Sequence, residues 1–147
     1  MAEPIEIRVE KRFRHPRERV FDAFVDPAHV GLWLFHTPDG VMEQVEYDPV
    51  PGGGFTIVER RGETLARHLG RFVEIMRPER IGFDFRTDDD GEWTRVTVVF
   101  EAGSDGCRIV LTHDLAAEWA AYERQTVHGW TTILAALETV LHAGAGS

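Results

Sequence analysis

The ending of this chain constrains its fold more than any other feature. From about Glu118 to Leu141, with Trp130 near the middle, the residues Trp119, Tyr122, Thr126, Trp130, Ile133, Leu137 and Val140 recur at three- and four-residue steps. That spacing places them on one stripe of a helix of period 3.6. Such a stripe has to be covered by something of matching size. The one stretch of the chain that can do so is the run of short strands before it, so a curved sheet is expected to grip the helix with room for a cavity between them. The pattern predicts an enclosure for something apolar.

The strands are legible in their alternation. Ile5, Ile7, Val9 and Phe13 alternate with Glu6, Arg8, Glu10 and Arg12, the period of a half-buried antiparallel strand. It stops at His15-Pro16; Val20, Phe21 and Phe24 then supply helical spacing up to Asp26. A second short helix follows, with Asp26 as its cap, Pro27 at its first position, and Val30, Trp33 and Leu34 on its buried side. From Val41 the pattern becomes short runs near residues 44–48, 55–61, 65–76, 80–87, 93–101 and 107–114. Turn residues punctuate them at Pro51-Gly52-Gly53-Gly54, Arg61-Gly62, Arg77-Pro78, Asp88-Asp89-Asp90-Gly91 and Gly103-Ser104-Asp105-Gly106. These gaps are too short for crossover helices, which predicts an antiparallel meander. The expected architecture is α+β: a strand, two short helices, about six strands and one long helix, forming a single domain over residues 1–143 with a frayed tail at 144–147.

Composition removes several function classes. The formal charge of −9 argues against a nucleic-acid partner, since phosphate contact rests on clustered Lys and Arg. Lys11, Arg12, Arg14, Arg17 and Arg19 do cluster, but a strand-then-helix geometry spreads them over two solvated faces. No apolar run approaches the roughly 18 residues of a membrane helix, so no membrane insertion is expected. Met1 to Glu10 lacks a signal-peptide core, and cytoplasmic location is the default expectation. Cys107 is the only cysteine, and the seven histidines show no metal-ligand spacing. Neither a disulfide nor a metal nor any other cofactor is expected. Gly52-Gly53-Gly54 lacks the lysine of a phosphate loop, and Ser104 lies in a hairpin turn and not in a nucleophile elbow.

A set of short features in fixed order carries a resemblance. They are Pro16 with Val20-Phe21-Asp22-Ala23-Phe24, Asp26-Pro27, Trp33, Asp48-Pro49, and Pro51-Gly52-Gly53-Gly54-Phe55. Gly70 with Glu74-Ile75, Pro78-Glu79-Arg80-Ile81, Val96-Thr97-Val98-Val99-Phe100, Leu111-Thr112-His113 and Gly129-Trp130 complete it. In this order the chain resembles the START-like or helix-grip superfamily, also called SRPBCC or Bet v-like, and specifically the Aha branch, homologues of the activator of the heat-shock-protein-90 ATPase. The resemblance implies a seven-stranded curved antiparallel sheet gripping the C-terminal helix around a cavity. It does not imply one activity, because relatives of this shape include lipid carriers, metabolite receptors, polyketide cyclases and chaperone-binding modules.

His113 is the first candidate for chemistry. It continues the alternation of Cys107, Ile109 and Leu111, on the face expected to look toward the helix. An inward imidazole could bind a ligand or act as a general base; the competing reading is a core histidine satisfied by a backbone carbonyl. Glu59 shares the phase of Phe55 and Ile57, and Arg67 or Arg71 could pair with it, but a bulge near Gly62 would turn it to water, and the solvated reading is preferred. His68 lies in a strand with apolar residues on both faces, which leaves its register open. Trp33, Phe35, Phe55, Phe72, Phe83, Phe85, Phe100, Trp130 and Leu134 form the apolar set for a cavity wall, each also an ordinary core residue. Tyr122 is expected at the cavity mouth and His128 in solvent. Three functions stay open: a carrier of a hydrophobic or aromatic small molecule, a cyclase- or dehydratase-like enzyme using His113, and an interaction module with a chaperone as partner. A homodimer is compatible with so small a domain.

Overall fold

A computed structural model describes residues 5–37, 39–87, 92–115 and 121–145. The chain runs β1 (Ile5–Phe13), α1 (Arg17–Phe24), a 3₁₀ turn (Val30–Leu32), β2 (Val41–Tyr47), β3 (Gly54–Arg61), β4 (Thr64–Met76), β5 (Arg80–Thr87), β6 (Thr94–Gly103), β7 (Gly106–Leu115) and α2 (Glu123–Ala145). The seven strands form one antiparallel sheet in the order β1-β7-β6-β5-β4-β3-β2. Six of them make a meander, and β1 closes onto the last strand. This is the expected α+β helix-grip arrangement.

Period-2 alternation sets the inner face. Phe72 on β4, Phe83 on β5, Val96 on β6, His113 on β7 and Ile7 on β1 lie in one cross-strand row; all five are buried. Above the sheet, α2 buries Trp130, Leu134, Leu137 and Leu141, residues at four- and three-residue steps that form one helical stripe. At the other end of the layer, α1 presses Phe21 and Phe24 edge-on against Phe100, at ring separations of 5.1 and 5.3 Å, and Trp33 packs 4.8 Å from Phe24.

Three boundaries differ from the sequence reading. The long helix begins at Glu123, preceded by a 3₁₀ turn at Ala121 and Tyr122, and continues through Ala145. Trp119, counted in the stripe, and Glu118, the expected start of the helix, lie outside the described residues, as do the Asp88–Gly91 turn and residues 146 and 147. Asp26 accepts the Ala28 N–H at 3.0 Å as expected, but the segment it opens is turn and 3₁₀ rather than helix. Strand β2 starts earlier, at Val41, because a register shift between Met42 and Gln44 breaks its alternation.

Candidate functional site

The first half of α2, the segment carrying Phe35 and the neighbouring ends of β3 to β7 leave a cleft of about 750 Å³ between them. Its floor and walls include Phe35, His68, Phe85, Thr94, His113 and Trp130, and its mouth includes Tyr122, Thr126 and His128. A larger cleft, of about 930 Å³, lies by the C-terminal turns of α2 and is walled mainly by Arg12, Arg14, Glu101, Asp105 and the β6–β7 hairpin backbone. Size alone would select the second. The aromatic rings, however, gather in the first, and apolar walls with a few convergent polar groups are what hold small molecules. The smaller cleft is therefore the candidate site.

His113 sits in it with both ring nitrogens engaged. The indole Nε1–H of Trp130 donates to His113 Nδ1 at 3.0 Å. An indole N–H can only donate, so Nδ1 carries the lone pair and the ring proton resides on Nε2. Nε2 lies 2.7 Å from Thr94 Oγ1, and that hydroxyl lies 3.1 Å from the Phe85 carbonyl. The directions close without a gap: Trp130 donates to His113, His113 to Thr94, and Thr94 to Phe85. Burial pushes the His113 pKa down to about 4, because the low-dielectric surroundings disfavour the charged ring. The imidazole is thus neutral at physiological pH, and its single basic lone pair is occupied.

Next to His113, whose ring meets Phe85 edge-on at 5.9 Å, lies a set of near-parallel rings. Phe35 stacks on His68 at 4.2 Å and on Phe85 at 5.2 Å, and lies 5.7 Å from Trp130. Phe35 adopts φ of 57°, a left-handed conformation that clashes with Cβ and is rare for a bulky side chain. The surrounding contacts hold it there. His68 Nδ1 donates to the Ile57 carbonyl at 3.2 Å, which fixes the stacked ring.

The segment carrying Phe35 is tied down by Glu59. That carboxylate accepts the Thr37 backbone N–H at 2.6 Å, the Thr37 hydroxyl at 3.2 Å and Arg61 Nε at 2.5 Å. Glu59 is fully buried, which corrects the preference for a solvated side chain. The ladder to β4 stays in register through Arg61, so no bulge turns it outward, and its partner is Arg61 on its own strand, not Arg67 or Arg71.

Of the residues singled out in the sequence, Phe35, His68, Phe85, His113, Tyr122 and Trp130 border the cleft. Trp33, Phe55, Phe72, Phe83, Phe100 and Leu134 fill closed core instead. Phe55 lies over Gly70, where an added Cβ would come within 1.9 Å of its ring. Arg71 faces the other side of the sheet. His128 is exposed as expected and borders the mouth. Thr94 and Thr37 went unnoticed, because a threonine near a strand end or in a loop carries no periodic signal. Among the described residues no group of three or more His, Cys, Asp or Glu side chains could hold a metal ion, and no helix is long and apolar enough to cross a membrane.

Solved structures share this arrangement. A protein from Chromobacterium violaceum superposes with a TM-score of 0.79 at 25% identity, covering 92% of this chain and 95% of its own. A protein of unknown function from Staphylococcus aureus gives 0.88 at 16%, covering 99% and 98%. DynU16, from the dynemicin biosynthetic locus, gives 0.79 at 16%, with 95% of this chain matching 48% of that one. No curated protein is detectably similar to the chain. The profile of the family described as "Activator of Hsp90 ATPase homolog 1-like protein" matches residues 14–142. The chain belongs to that family, within the SRPBCC superfamily.

Proposed function

We propose that the protein binds a flat apolar or aromatic small molecule in the cleft between α2 and the sheet, without covalent chemistry. The observation that carries this reading is that the near-parallel rings of Phe35, His68 and Phe85, packed against Trp130, together line one side of an open cleft of about 750 Å³. That volume is within the roughly 300–1,000 Å³ of small-molecule sites, and offset stacking on such rings favours planar ligands. Binding is preferred to proton transfer because the lone pair of His113 is already taken by Trp130 and its proton is directed to Thr94. A general base must reach a substrate proton with a free lone pair.

Titration with N-phenyl-1-naphthylamine, an uncharged aromatic fluorophore, tests the reading. Saturable fluorescence enhancement is expected. Thr126→Trp, which fills the mouth from a half-buried helix position, should weaken it about tenfold or more. Native mass spectrometry of the purified protein provides an independent search for a retained molecule. Absence of saturable binding, or binding unaffected by Thr126→Trp in a folded variant, overturns the proposal.

A further inference from the structure

We propose that the outer face of the sheet carries an oxyanion-binding site formed by Arg71, Trp93 and Arg86. The guanidinium of Arg71 lies 4.9 Å from the centre of the Trp93 ring, and that of Arg86 lies 4.5 Å from it. The two arginines are diagonal neighbours on β4 and β5, since Arg71 pairs with Asp84 and Arg86 with Leu69 in the ladder, close enough for long side chains to converge.

Among the arginines without a carboxylate partner in the described residues, which include Arg12, Arg14, Arg19 and Arg124, these two are set apart by the ring they share, both guanidinium groups lying over Trp93. Arg60, Arg61, Arg77, Arg80, Arg95 and Arg108 each pair with a carboxylate. Neither Arg71 nor Arg86 does so among the described residues. The nearest acid across the ladder, Asp84, is held by Arg95 at 2.7 Å. Arg86 Nε is buried and donates to no acceptor, a state that is destabilising until an acceptor arrives. Stacking on an indole fixes both planar heads and leaves their N–H edges for two-pronged contact with a carboxylate or phosphate. The chain's net charge of −9 opposes anion approach only weakly at this point. At physiological salt, charges beyond about 8 Å are screened, and Asp84, the acid across the ladder from Arg71, is already neutralised by Arg95. Glu92, beside Trp93, is exposed to water.

Arg86 also borders the cleft, so the oxyanion can be free or can be carried by a cleft ligand. Nuclear magnetic resonance on ¹⁵N-labelled protein separates the two, with inorganic phosphate in one arm and 2-naphthoate in the other, at constant ionic strength. Saturable shifts of the Arg86 Nε–H and Trp93 Nε1–H signals in phosphate, with Trp130 Nε1–H unmoved, are expected for a free anion. Joint movement of Arg86 and Trp130 in naphthoate alone assigns the anion to a cleft ligand. Arg71→Met, which keeps the aliphatic stem, should weaken the response about tenfold. Arg86 and Trp93 signals that stay still in both arms, or an affinity unchanged by Arg71→Met, overturn the inference. Movement of Trp130 alone overturns it while leaving the ligand-binding reading intact.

Discussion

The closed relay around His113 makes stability depend on pH in a calculable way. In the unfolded chain the imidazole titrates at its ordinary value of 6.5, whereas in the fold burial holds it at about 4. Between those values the unfolded state takes up a proton that the native state refuses. Stability from this group is therefore lost as pH falls through 6.5, and the loss is complete near 4. The linkage relation gives a contribution of about 2 kcal/mol lost between pH 7.5 and pH 5, and about 3 kcal/mol below pH 4. Carboxylates add their own pH dependence, so the measurement has to be differential. His113→Gln has nothing to protonate in this range and leaves Trp130 and Thr94 a polar partner. Urea unfolding of both proteins at pH 7.5 and pH 5 should show the wild type losing about 2 kcal/mol more than the variant. At pH 7.5 the variant itself should be weaker by roughly 2 kcal/mol, because its amide cannot satisfy both partners at the imidazole's positions. Equal losses in the two proteins, or a His113 resonance titrating near 6.5, would refute the closed relay.

Two further substitutions probe the frame of the site. Gly70→Ala places a methyl group 1.9 Å from the Phe55 ring and should destabilise the fold by about 1–3 kcal/mol through overpacking, measured by thermal or urea unfolding. Glu59→Gln removes the charge that holds Arg61 while leaving an acceptor for the Thr37 N–H. Because Arg61 is 41% exposed, water replaces part of the lost pairing, and a loss of about 2 kcal/mol is expected, below that of a fully buried pair. Hydrogen exchange at the Thr37 amide should quicken in that variant, and unchanged exchange would separate Glu59 from the Phe35 segment.

Legibility in the sequence followed the range of the interaction responsible. β5 spans Arg80–Thr87 as its alternation predicts, and β4 and β7 begin and end within a residue of the expected limits, because a period of two with turn residues at each end is a local signal. His113 was placed inward by the same alternation. His68 could not be placed, since both faces of its strand carry apolar residues. Its orientation follows from pairing with Ile57 on β3, which puts it in phase with Gly70 and Phe72, and the register shift between Phe72 and Glu74 changes the phase only at the end of β4. The burial of Glu59 escapes the sequence for a related reason: whether a strand bulges before its turn is decided by its neighbour.

By itself, then, the sequence determined the element order, the antiparallel meander, the gripping helix and the inward face of β7. Each depends on periodicity or on residues a few positions apart. Tertiary structure alone decided that Trp130 occupies the lone pair of His113, that Phe35 is held left-handed in a stack, that most of the phenylalanines close the core, and that Arg71 and Arg86 meet on Trp93. Those outcomes rest on contacts between residues from 7 to 50 or more positions apart, across turns and strands, made or excluded by distances of a few ångströms that no local pattern encodes.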